Sequence, residues 1–95
     1  MLKKIIIIGS GYHSKVVLYE ILQLKKYKVI GFIDEKIKRG TVVEKIGKKS
    51  FKILSNIDGI KDLTDKNTYG VIGIGTNFVR KKIANIIEKK NKNFK

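Results

Sequence analysis

A chain of 95 residues with 42% hydrophobic content can bury one modest core, which gives a single domain over residues 1–95 and no second one. With no cysteine and one histidine, it excludes disulfide frameworks, thiolate metal sites and histidine-cluster metal centres. The formal net charge of +14 raises the question of nucleic acid, but the excess is lysine spread over every segment, and Arg39 and Arg80 are the only arginines.

Compositional bias toward Lys, Ile and Asn therefore accounts for the charge better than a surface that reads nucleic acid, although a positive field still favours anionic small molecules. Lys3 to Ile8 reads as the first strand. Its four consecutive isoleucines lack polar alternation, which fits a strand covered on both faces, as in parallel sheets of α/β proteins. The same run superficially resembles a signal peptide, yet it is short and ends in glycines that open a helix. It is also too short to span a bilayer, so the expectation is a soluble, cytoplasmic protein with no membrane partner.

Gly9 and Gly11 allow a sharp turn and a close backbone approach, and the helix that follows offers unpaired amides and its positive dipole end to an anion. That helix runs over about Tyr12 to Leu24, with Val17, Ile21 and Leu24 on one face. Tyr27 to Ile33 reads as the second strand and ends in Asp34 and Glu35. Residues 36–50, with Gly40, Gly47 and many lysines around Thr41-Val42-Val43, read as an exposed loop or small hairpin, and Phe51 to Leu54 as a short strand. Ser55 and Asp58 form a capping box for a short helix to about Leu63.

Tyr69 to Ile74 reads as the next buried strand, with small glycines that admit a closely packed helix or ligand. Thr76 and Asn77 can cap a last helix whose Val79, Ile83, Ile86 and Ile87 form an apolar stripe. The sum is a small Rossmann-like α/β domain of three layers and a mostly parallel sheet, β-α-β-β-α-β-α. A doubly wound order sets the first strand beside Tyr69 to Ile74, so that the loops at Gly9 to Ser14 and Gly75 to Arg80 flank a crevice.

The dinucleotide fingerprint G-x-G-x-x-G appears as Gly9, Gly11 and Ser14, with the third glycine replaced, and Asp34 lies about 20 residues beyond Ser14. In that fingerprint the acid at the end of the second strand accepts hydrogen bonds from a ribose. His13, in the first helical turn, has two readings. Its imidazole can donate to a phosphate or sugar, or it is a histidine that packs beside the turn. Arg80, one turn into the last helix, is a candidate phosphate clamp or a solvated charge.

Gly9-Ser10-Gly11-Tyr12-His13-Ser14-Lys15-Val16-Val17, then Gly31-Phe32-Ile33-Asp34, then Ile72-Gly73-Ile74-Gly75-Thr76-Asn77 followed by Arg80, together resemble the N-terminal domain of the PglD/NeuD family of sugar acetyltransferases. The resemblance spans essentially the whole chain and is weakest over residues 36–50. It implies a domain that binds a UDP-type amino sugar or a sialic acid-type substrate. In the family a left-handed β-helix follows, binds acetyl-CoA, forms the trimer and supplies the catalytic histidine.

By that resemblance Gly9, Ser10, Gly11, Tyr12, His13, Asp34, Gly75, Thr76, Asn77 and Arg80 are the candidate nucleotide-sugar-binding residues. Tyr12 stands where the family usually has glycine, and a ring there can narrow the pocket or stack on a base. The sequence carries no hexapeptide repeats, and His13 does not match the family's catalytic histidine. The expectation is a substrate-binding unit with no cofactor and no acetyl transfer of its own, acetyl-CoA being implied for the full-length enzyme, with self-association or association with a β-helix domain. An NAD-type module, a nucleic-acid-binding protein and a remnant without ligand are the alternatives.

Overall fold

A computed structural model describes residues 3–59 and 68–73 of the chain. Among the described residues, five strands and one α-helix follow in the order β1 (Lys3–Ile8), α1 (Tyr12–Leu24), β2 (Tyr27–Ile33), β3 (Val42–Ile46), β4 (Lys49–Ser55) and β5 (Thr68–Ile72), with a 3-10 turn at Ile57–Gly59 after β4. They form one sheet of order β3-β4-β2-β1-β5. The β1–β2, β1–β5 and β2–β4 pairs are parallel, and only the β3–β4 hairpin is antiparallel. The fold is therefore the Rossmann-like α/β class with a mostly parallel sheet.

The isoleucine run suits β1 to an interior position of this sheet, between β2 and β5. Ile5, Ile6, Ile7 and Ile8 are all buried, although successive side chains of a strand point to opposite faces, so β1 is covered on both sides. Ile5 and Ile7 pack with Leu18 and Ile21 of α1 and with Val29, Phe32, Phe51 and Ile53 in one cluster. Val29 and Phe32 share that cluster although three residues separate them. The register explains this: Ile5 pairs with Val29 but Ile6 with Gly31, so Ile30 is an inserted residue and the alternation of β2 inverts across it.

The buried residues of α1 are Ser14, Leu18 and Ile21, with Val17 and Leu22 packed partly against the core. This corrects the face expected from the sequence. Leu24 is 56% exposed, while Leu18 is fully buried. The helix is rotated because its first turn approaches the sheet at Ser14, and Leu24 is its last residue before Lys25 turns the chain out in a left-handed conformation at φ 56°.

The segment 36–50 contains the small hairpin. Gly47, at φ 61°, opens its two-residue turn, which is the position where such turns favour glycine. Tyr19 of α1 reaches this hairpin and donates to a Glu44 carboxylate oxygen at 3.2 Å. The expected capping box is not formed, since Ser55 is the last residue of β4 and its hydroxyl donates to the Asn56 carbonyl. Asn56 Oδ1 instead accepts the Gly59 amide at 3.2 Å, and Glu35 Oε1 accepts that of Ile57 at 2.8 Å. Residues 60–67 and the last expected helix lie outside the described residues.

The cluster at the β1–β2–β4 face sets the stability of the chain. Phe32→Ala, which empties a fully buried position, is expected to cost about 3–5 kcal/mol. Val42→Lys, at a half-exposed position of β3, is expected to stay within about 0.5 kcal/mol. Urea unfolding of the two variants followed by circular dichroism checks both values.

Candidate functional site

The carboxyl ends of the four parallel strands form one continuous rim. Just beyond β2, β1 and β5 the sheet pairing continues by one hydrogen bond each. The Asp34 amide donates to the Ser55 carbonyl at 3.2 Å, the Gly9 amide to the Ile33 carbonyl at 2.7 Å, and the Gly73 amide to the Ile8 carbonyl at 2.8 Å. The residues that follow β4, β2, β1 and β5 are thereby held side by side. Because β2 and β4 lie on one side of β1 and β5 on the other, the chain reverses its direction of winding at β1, the position where open α/β sheets bind ligands.

The loop 9–11 leaves β1 at this point. Gly9 is buried at φ 98°, a conformation that disfavours any side chain. Gly11 is different, with an extended backbone at φ −78° and ψ −169°, open to any residue, and a Cβ there would meet no atom of the described residues within 4 Å. Among the described residues nothing calls for glycine at position 11. Gly11 is also the N-cap of α1, which has no side-chain cap and no acid in its first turn. The helix therefore presents its first amides and its positive end with no cap from its own N-cap side chain.

Ser14 shows where the third glycine of the fingerprint went. It is fully buried, and its hydroxyl donates to the Gly73 carbonyl at 2.7 Å. A Cβ on Gly73 would stand 2.8 Å from Ser14 Oγ, 2.9 Å from Ser14 Cα and 2.9 Å from Ile7 Cγ2. The close helix–strand approach normally allowed by a glycine on the helix is allowed here by a glycine on the strand.

Asp34 stands opposite this loop at the end of β2. Its Oδ2 accepts the Ser10 hydroxyl at 2.5 Å, and its Oδ1 accepts the amides of Lys36 at 2.8 Å and Ile37 at 3.2 Å. The carboxylate thus ties the glycine loop to the turn after β2. Beside it, between the ends of β2 and β4, is a cleft of about 270 Å³ lined by Asp34, Glu35, Ile37, Arg39, Ser55 and Asn56. Of these, sequence reasoning singled out only Asp34 as a site residue. Arg39, Glu35 and Asn56 sit in segments with no motif, and a topology that sets residues 34–39 beside residues 55–56 was the only signal available.

The structure thus brings Gly9, Ser10, Gly11, Tyr12, His13 and Asp34 to one rim. Tyr12 and His13 are both exposed. The ring of Tyr12 is 84% exposed and is not among the residues lining this cleft. Gly75, Thr76, Asn77 and Arg80 lie outside the described residues. Among the described residues no group of His, Asp and Glu could hold a metal ion, and no helix is long and apolar enough to cross a membrane.

A glycine-rich loop at the reversal of a Rossmann-like sheet, backed by a helix amino terminus, defines the class of this domain. The chain belongs to the PglD N-terminal domain family, whose model it matches over residues 4–87. Among solved structures it is similar to the acetyltransferase domain of PglB from Neisseria gonorrhoeae in complex with acetyl coenzyme A, with a TM-score of 0.73 and 21% identity, over 96% of this chain and 41% of that one. It is similar also to a point mutant of perosamine N-acetyltransferase from Caulobacter crescentus in complex with CoA and GDP-perosamine, with a TM-score of 0.71 and 21% identity, over 99% of this chain and 40% of that one. At such identity the likeness establishes the fold, and the chain spans about two fifths of either protein's length. No curated protein matches the sequence significantly.

The contact between Gly73 and Ser14 gives a direct check on how α1 is seated. Gly73→Ala is expected to destabilise the chain by about 1–3 kcal/mol, because the nearest atoms include the helix backbone and cannot swing aside. Ser14→Ala, which leaves the buried Gly73 carbonyl without its side-chain donor, is expected to cost about 1–3 kcal/mol. Chemical denaturation of the single and double variants should show non-additivity of at least about 0.5 kcal/mol.

Proposed function

We propose that this domain binds a nucleotide-activated sugar of the UDP-amino-sugar kind and presents it to the catalytic part of a cytoplasmic sugar acetyltransferase. The observation that carries this reading is the amino terminus of α1, where the N-cap is Gly11, where no atom of the described residues would meet a Cβ, and where the N-cap offers no side-chain hydrogen bond. A diphosphate is the ligand whose chemistry uses such a place, because its oxygens accept from several backbone amides and gain from the dipole. Asp34, across the rim, suits the ribose of the same ligand. The cleft of about 270 Å³ beside it suits the base, with Asn56 and Arg39 as hydrogen-bond donors and Ile37 as an apolar wall.

Family membership supports the same reading, as does the GDP-perosamine held by one of the structural relatives. In this reading the sugar moiety leads away from the rim toward a second unit, which holds acetyl-CoA and supplies the base for acetyl transfer. The described residues contribute binding and orientation to that reaction. Gly75, Thr76, Asn77 and Arg80, which follow β5 in the sequence, belong to the proposed binding set.

Calorimetric titration of the chain with UDP, GDP, NAD and a single-stranded oligonucleotide tests the proposal. A nucleoside diphosphate is expected to bind most tightly and, at a hundredfold excess over its Kd, to stabilise the fold by about 2.7 kcal/mol. Gly11→Ser supplies the missing cap, so the variant should gain a few tenths of a kcal/mol in stability while its diphosphate affinity falls about tenfold or more. Tighter binding of NAD, a salt-dependent preference for the oligonucleotide, or unchanged diphosphate affinity in Gly11→Ser would each overturn the reading.

A further inference from the structure

The division of labour at the Asp34 carboxylate points to a second reader of the ribose. Oδ1 is occupied by two backbone amides, from Lys36 and Ile37, which fix the carboxylate in one orientation. Oδ2 accepts the Ser10 hydroxyl at 2.5 Å, a short charge-assisted bond. A serine hydroxyl has one proton and two acceptor lone pairs. With its proton committed to Asp34, Ser10 offers the rim only acceptor capacity. Ser10 Oγ and Asp34 Oδ2 thus form a pair of adjacent oxygens, both able to accept and neither able to donate.

We infer that Ser10, with Asp34, selects a vicinal diol: the 3′-hydroxyl of a ribose donates to Asp34 Oδ2 while the 2′-hydroxyl donates to Ser10 Oγ. The inference rests on the nucleotide reading above and adds to it a residue that discriminates ribose from deoxyribose. The matching is chemical as well as geometric, because the two oxygens of the pair are about as far apart as the two oxygens of a cis-diol. A ligand carrying one hydroxyl leaves one acceptor without its partner in a partly buried setting, and a ligand carrying an ether oxygen there meets a second acceptor. The position of Ser10 supports this role for a further reason. It lies between Gly9 and Gly11, so a diphosphate resting on the amides of α1 brings its ribose toward the end of β2, where Asp34 stands.

Titration calorimetry with UDP and 2′-deoxy-UDP on the full chain, on Ser10→Ala and on Ser10→Thr tests the inference. The unaltered chain is expected to prefer UDP about tenfold, the scale of one lost hydrogen bond to a charged pair. Ser10→Ala should lose about tenfold in affinity for UDP and bind the two ligands within about threefold of each other. Ser10→Thr, which keeps the hydroxyl, should restore the preference. Equal binding of both ligands by the unaltered chain, or an undiminished preference in Ser10→Ala, overturns the inference while leaving the nucleotide reading in place. A loss in Ser10→Ala that is equal for both ligands assigns the hydroxyl a purely structural role and overturns it as well. Failure of the unaltered chain to bind UDP removes the nucleotide reading itself.

Discussion

The three hydrogen bonds that prolong the sheet beyond its strands are the constraint on which the rest of the site depends. At the carboxyl end of a parallel sheet each chain must leave in a new direction, and the ladder normally stops where the strands diverge. Here the amides of Asp34, Gly9 and Gly73 still find the carbonyls of Ser55, Ile33 and Ile8. The exits of four strands are thereby fixed relative to one another before any side chain contributes. The position of the Asp34 carboxylate relative to the glycine loop follows from this, and so does the seating of α1 against the end of β5. The isoleucines of β1 support the arrangement from below, since a strand buried on both faces cannot slip by one residue without moving its neighbours.

The exchange between Ser14 and Gly73 shows how the same contact can be built from a different sequence. What the fold requires at that point is closeness between the first turn of a helix and the end of a strand. A glycine on either partner meets the requirement, and a glycine on the strand leaves the helix position free for a side chain. Serine then adds something a glycine lacks, a hydroxyl that donates to the Gly73 carbonyl in a fully buried setting. The departure of the sequence from the three-glycine fingerprint is therefore a relocation of the small residue, with a hydrogen bond gained.

Much of the amino-terminal half was legible from the sequence because its signals are local. The isoleucine run, the two glycines and the return to apolar residues at Val29 bound β1, α1 and β2 at Lys3–Ile8, Tyr12–Leu24 and Tyr27–Ile33, as expected. The features that were not legible depend on contacts between distant segments. The inserted Ile30 arises because Gly31 must pass close to β4, where a Cβ would meet the Lys52 carbonyl at 2.7 Å. The true buried face of α1 was hidden because Leu18 and Leu24 are equivalent in the sequence, and only the approach at Ser14 decides between them. The capping box failed for a similar reason, since Ser55 is claimed by β4 and Asn56 takes over the cap. At the candidate site the motif residues were readable, whereas the cleft around Arg39 and Asn56 is a product of strand order alone.

The bare amino terminus of α1 sets this domain apart from one organised for stability alone. A side-chain cap at that position contributes a few tenths of a kcal/mol relative to glycine, and the chain forgoes it. A serine is available one residue earlier, but its hydroxyl is turned to Asp34, where it joins a carboxylate already holding two amides. Ser10, Lys36 and Ile37 are thus tied to Asp34, and the N-cap side of the helix takes no part in that network. Local preference and the observed arrangement disagree at this one place, in a helix otherwise consistent with its sequence. Such a conflict is resolved when a group from outside the chain completes the hydrogen bonding, and the proposed diphosphate is a group of that kind.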